Sequence, residues 1–173
     1  MLNAEAPSKQ GVGLMQKRAL PEFEFLGRHE FSNETGVTRF SVDSEKKLVV
    51  VRFAKTVRAR DIEQYAARLR AHSSFEPLFS EITDLRDVEK LDLQAEEFIR
   101  LADQVDPFSY QAKRAFVVGD SVQAHAARMH KILRSQRNLE IFHSLEEAEQ
   151  WINSQPSSAA SSKPGAKPLQ PLR

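Results

Sequence analysis

Between Val37 and Asp43 the residues VTRFSVD alternate between apolar and polar, the two-residue period of a strand with one covered face. The next stretch, KLVVVRFA from Lys47 to Ala54, is a continuous apolar run and predicts a strand buried on both faces. The polar link Ser44-Glu45-Lys46 has the length of a hairpin connection, so the two strands are expected to pair antiparallel. EFEFLG (Glu22 to Gly27) alternates too and predicts an edge strand. After this the period lengthens. Ile62, Tyr65, Ala66 and Leu69 recur at helical spacing, with Thr56 or the residues after it as cap. FSEITDL (Phe79 to Leu85) reads as a short buried strand. Ala95, Phe98, Ile99, Ala102 and Val105 make a second helical stripe, capped by Asp92 and closed before Pro107. RAFVV (Arg114 to Val118) is a further strand, ended by Gly119-Asp120-Ser121, and Val122, Ala126, Met129 and Leu133 form a third stripe. Leu139 to Phe142 predicts the last strand. Ser144 and Glu147 then stand at capping-box spacing, and Leu145, Ala148, Trp151 and Ile152 give the apolar side of a closing helix.

Strands separated by helical crossovers run parallel, so the expected class is α/β with a mixed sheet: an amino-terminal hairpin, then parallel strands. Composition sets the limits of that domain. Residues 1–21 show no sustained period and are expected to form a mobile arm. Residues 22–154 are expected to fold, and residues 155–173, QPSSAASSKPGAKPLQPLR, are too poor in large apolar side chains to offset their ordering entropy. The arm is too polar for a signal-peptide core, and no stretch approaches the ~20 apolar residues of a membrane span, so a cytoplasmic location is the expectation.

With 25 Lys and Arg against 24 Asp and Glu, the chain has no basic field to coat nucleic acid. The absence of cysteine removes disulfides, thiolate metal sites and a cysteine nucleophile together. Gly27, Gly36 and Gly119 are too scattered for a P-loop or a dinucleotide fingerprint, and no serine sits in a G-x-S-x-G elbow. His125 and His130 diverge by about 140° on a helix, unlike an i, i+4 metal pair. Neither a metal nor a cofactor is therefore expected. Asp120 and Ser121 occupy the strand-to-helix position where open α/β sheets take ligands, and equally the position of a helix cap. Arg128, Lys131 and Arg134 fall opposite the Val122/Met129 stripe and predict an exposed basic face. The segment Asp84 to Asp92 (DLRDVEKLD) runs from the end of a buried strand to a helix start. Asp84, Arg86, Asp87, Lys90, Asp92 and Gln94 are there the candidate partner contacts, and Asp84, Arg86 and Asp87 alternatively a loop-closing ion-pair set. A receiver-type phosphorylation site does not fit, since Lys113 precedes its strand and no acidic pair follows KLVVVRF.

KLVVVRFAKTVRARDIEQY, EITDLRDVEKLDL, AFVV and IFHSLEEAEQWI, in that order, resemble a STAS domain, and more narrowly the SpoIIAA-like group that is classed with CRAL-TRIO-type lipid-binding folds. The resemblance spans roughly Val37 to Ile152. It implies the fold of the anti-sigma-factor antagonists, in which a loop Asp-Ser-Ser-Gly carries a phosphorylated serine. Here the corresponding residues are Asp92-Leu93-Gln94-Ala95, with no hydroxyl to accept a phosphate. The expectation is a non-enzymatic regulatory module that binds a protein, a second copy of the chain included. The alternative is a carrier of a small apolar ligand or lipid between sheet and helices; an enzyme built on Asp120, Ser121 or a rim acid has the least support.

Overall fold

The computed structural model describes residues 29–33, 36–53 and 55–154. The alternating segment and the apolar run form strands β2 (Gly36–Asp43) and β3 (Leu48–Arg52); β1 (His29–Asn33), not foreseen, precedes them, and the three pair antiparallel in sequence order. The β2–β3 link is one residue longer than expected, because Lys47 closes the turn with a left-handed φ of 51° while the Asp43 carboxylate accepts the Lys46 N–H at 2.9 Å. EFEFLG, the arm at 1–21 and the tail at 155–173 lie outside the described residues.

Beyond the hairpin, β4 (Thr56–Arg58) leads into α1 (Ala59–Arg70), then come β5 (Ser80–Asp84), β6 (Lys90–Asp92), α2 (Ala95–Arg100), β7 (Arg114–Val117), α3 (Ser121–Leu133), β8 (Leu139–Phe142) and α4 (Leu145–Asn153). The main sheet has the order β1-β2-β3-β5-β7-β8, with β3, β5, β7 and β8 parallel. This is the mixed α/β arrangement that the period changes predict. Not foreseen was the pairing of β4 with β6, a two-stranded parallel sheet of its own. It corrects one expected cap. Helix α1 begins after Arg58, among the residues following Thr56 as expected, and the Arg58 N–H meets the Asp61 carboxylate at 2.8 Å; Asp92, however, is held in extended backbone by this pairing, so α2 begins after Gln94, whose N–H meets Glu97 at 2.8 Å.

Helix α2 is short. It passes into a π-helical turn, Leu101–Val105, in which the Asp106 N–H reaches back to the Leu101 carbonyl at 3.1 Å. The extra residue turns Leu101 and Ala102 inward, whereas Ile99, predicted to face the core, is 55% exposed.

The core has two layers. On one side of the sheet, Val50, Ile82, Ala115 and Val117 pack under Ala148 of α4, with Leu145, Trp151 and Ile152 around it. Ser144 caps that helix by accepting the Glu147 N–H, and Lys113 donates to the Trp151 carbonyl at 2.7 Å and the Ser154 carbonyl at 2.6 Å at its far end. On the other side, Phe40, Val49, Val51 and Phe116 face Tyr65 and Leu69 of α1 and Ala124 and Ala127 of α3.

Helix α3 does not sit as its apolar stripe predicts. Val122 is 63% exposed and Leu133 40%, while Gln123, Ala124, Ala126 and Ala127 are buried. At 100° per residue, Gln123, Ala127, His130 and Arg134 share one inward line, while of the apolar stripe Val122 and Leu133 are exposed, Met129 is half-buried and Ala126 is buried. A polar inward line is stable only where acids and carbonyls await it. The second layer supplies them.

Candidate functional site

Parallel register sets Val49, Glu81, Arg114 and Leu139 side by side across the sheet, and Val51, Thr83, Phe116 and Ile141 in the next row. Because side chains alternate along a strand, Glu81 and Thr83 share the inward face with Phe79 and Leu85, and all four are buried. An acid and a base thus stand next to each other in the middle of an apolar sheet. Burial of such groups is tolerable only with complete pairing.

The pairing is extensive. The Tyr65 hydroxyl donates to Glu81 Oε1 at 2.7 Å, and Arg114 Nε and Nη2 donate to Glu81 Oε2, the first at 2.7 Å. Arg114 Nη1 reaches Asp106, which the π turn delivers, and lies 3.0 Å from His130 Nε2. His130 Nε2 is 3.1 Å and Arg134 Nε 3.6 Å from the same Asp106 oxygen, while the other oxygen accepts the Phe108 N–H at 2.9 Å. Arg134 also donates to the carbonyls of Ala102 at 3.0 Å and Phe108 at 2.6 Å. Two guanidinium groups and two carboxylates therefore balance.

Each member's proton affinity follows from this setting. Burial, then the Glu81 charge, pushes the Tyr65 phenol well above its ordinary value, so it stays a donor. Burial opposes ionisation of Asp106, but Arg114 foremost, with His130 and Arg134, holds its carboxyl far below the usual range. Burial likewise acts against the Arg114 charge, and Glu81 and Asp106 more than restore it. Burial pushes the His130 imidazole down, against the pull of Asp106. No thiol, metal cluster or free acid–base pair stands here; among the described residues no group of three His, Asp or Glu is placed to hold a metal ion.

Over this polar floor lies a cavity of about 100 Å³ between the sheet, α1, α2 and α3. Its walls are Phe53, Val57, Leu85, Leu91, Phe98 and Phe116, with Ala66, Ala126 and Ala127 leaving the room. Thr83 also lines it, and its hydroxyl, on a residue only 4% exposed, has no hydrogen-bond partner. The β4–β6 pair and α2 form the outer wall, and no residue of α2 is fully buried.

Against this geometry the residues singled out in the sequence divide. Asp84 is buried at the end of β5 and accepts from Arg52 Nε at 3.0 Å and from Arg86 at its N–H, Nε and Nη2 (3.1, 2.9 and 2.9 Å). Burial favours the neutral form, yet these bonds hold its carboxyl below the ordinary value. Leu85 and Val88 tuck inward, and Gln123 ties the loop down, donating to the Val88 carbonyl at 2.8 Å and accepting the Gly119 N–H at 2.6 Å. Asp87 remains exposed at 3.9 Å from Arg52. Lys90 and Asp92 pair with each other at 3.1 Å, and Gln94 caps α2. Asp120 caps α3, accepting the Gln123 N–H at 2.8 Å, with Ser121 exposed beside it. The expected basic face is corrected: Arg128 is exposed and Lys131 pairs with Glu140 at 3.2 Å, but Arg134 is 4% exposed and belongs to the buried cluster. Asp106 draws it inward.

No protein-family model matches the sequence, and no curated protein does. Among solved structures, an uncharacterised protein of the DUF3478 family with a SpoIIAA-like fold, from Shewanella loihica PV-4, is similar to 73% of this chain. The match covers 94% of that chain, at 14% identity and a TM-score of 0.45. The strand order and register of this chain themselves establish its mixed α/β architecture. No helix among the described residues is long and apolar enough to cross a membrane.

The cluster itself escaped sequence reasoning. Glu81 carried a signal: it lies two residues from Phe79 and four from Leu85 in an otherwise buried strand, so the two-residue period places it inside. For Asp106, His130 and Arg134 no such local signal exists, since each is buried by a partner distant in sequence.

Proposed function

We propose that this chain is a binding module that holds a compact, mostly apolar molecule between its sheet and helices α1 to α3, without chemical change to it. One observation supports this reading above the others: an apolar-walled cavity of about 100 Å³ over a polar floor whose charges are already matched. Apolar concavity with a few fixed polar groups is the usual make-up of small-molecule sites. The rim from Asp84 to Gln94 favours a protein partner less, because Asp84 and Arg86 spend their hydrogen bonds on each other and on Arg52. The cavity is also too small for a long acyl chain. Since a dry cavity of ~150 Å³ admits benzene, 100 Å³ encloses roughly four heavy atoms, and a larger body must extend through the mouth.

The test is xenon binding to the full chain, followed by methyl NMR. Saturable shifts at Ala66, Ala126, Ala127 and Leu91, absent in Ala126→Leu, support the proposal. Unperturbed methyl signals under xenon pressure in the wild-type protein overturn it.

A further inference from the structure

The floor of the cavity also bears on what kind of molecule enters, and this step rests on the binding reading above. Arg114 and Arg134 carry two positive charges against Glu81 and Asp106, with side chains at most 6% exposed, so the buried charge is balanced before any ligand arrives. The cluster's polar groups are also largely committed. Tyr65 donates to Glu81, both Glu81 oxygens accept, and both Asp106 oxygens accept. A ligand carboxylate or ammonium would place an unmatched charge beside a neutral, water-poor cluster. Thr83 differs from these neighbours. Thr83 lines the same cavity, and its hydroxyl is buried with both a donor and an acceptor unspent. In the sheet row above Glu81 and Arg114, it stands between Val51 and Phe116, apolar neighbours that offer it nothing.

We infer that the ligand is a neutral, compact molecule with a single hydrogen-bonding group, a hydroxyl or a carbonyl, that pairs with the Thr83 hydroxyl while its apolar body lies among Phe53, Leu85, Leu91 and Phe116. Acids, amines and sugars are excluded, the first two by charge and the third by its many polar groups facing apolar walls. Thr83 is then the residue that sets specificity, and the charged cluster only holds the floor rigid beneath it.

The probes are 2-butanol, 2-butanone, 2-methylbutane and butyrate, similar in size and differing in polarity, titrated into the full chain by methyl NMR. Xenon is run beside them to report the cavity alone. The alcohol and the ketone are expected to bind the wild type and butyrate not at all at the same concentrations. Thr83→Val, which keeps the shape, is expected to weaken the alcohol and ketone about tenfold while leaving 2-methylbutane and xenon unchanged. Equal affinities of 2-butanol for wild type and Thr83→Val, or binding of butyrate at the same sites, overturns the inference while xenon binding keeps the cavity reading intact. Loss of xenon binding overturns both.

Discussion

Asp106→Asn isolates the balance inside the buried cluster. The substitution keeps shape and removes one negative charge, leaving Arg114 and Arg134 to face Glu81 alone, with their side chains 6% and 4% exposed. Little water reaches these groups, so screening does not soften the loss. Breaking a buried pair by removing one partner destabilises by about 3–5 kcal/mol. Against a typical domain stability of about 5–15 kcal/mol this is a large share. In urea, with a slope of about 2 kcal/mol per molar, the midpoint falls by ~1.5–2.5 M. The pH dependence supplies a second readout. The folded carboxyl lies below its ordinary value, so its contribution is complete above the unfolded pKa of about 3.9 and is lost as pH falls through the folded one. The gap between wild type and variant is therefore widest near neutrality and narrows in acid. A midpoint shift below ~0.5 M at pH 7, or a gap that stays constant to the acid limit, refutes the argument that this charge is buried and matched.

Three further outcomes are expected. For His130 the buried imidazole titrates below its ordinary value, so the unfolded chain binds the proton first and stability declines as pH drops below about 6.5; His130→Gln flattens that decline in thermal melts between pH 7.5 and 5. Asp84→Asn lowers stability by about 2 kcal/mol in urea titrations, less than Asp106→Asn because water reaches its partners Arg52 and Arg86, whereas Asp87→Asn, exposed nearby, changes it by less than ~0.5 kcal/mol. Ser144→Ala removes the α4 cap and costs about 1 kcal/mol, read as a small drop in melting temperature.

What sequence reasoning reached and what it missed differ in physical kind. Local period and cap chemistry suffice for β2, β3, β5, β7 and α4, because one covered face leaves its imprint on successive residues. They fail where tertiary partners decide. Asp92 looks like a cap until β4 and β6 pair across more than thirty residues. The apolar stripe of α3 looks like its inward face until Asp106 claims His130 and Arg134. The same reversal hid the candidate site. A search for chemistry among exposed turns and rims finds Asp84 to Gln94 and Asp120, which the folded chain uses mainly to close loops and begin helices, while the cavity and its floor assemble from strands and helices that meet only in space.

The π-helical turn from Leu101 to Val105 has a consequence for how the chain can change over time. It amounts to one surplus residue in the ladder, and its outer members, Asp103 and Gln104, are exposed. Deletion there is absorbed as well. Removing Gln104 would return the segment to regular winding, with the Asp106 N–H still on the Leu101 carbonyl, now four residues away, so Asp106 would stay beside Arg114. The wide turn is thus a place where the chain can lose one residue and leave the buried cluster beneath it undisturbed.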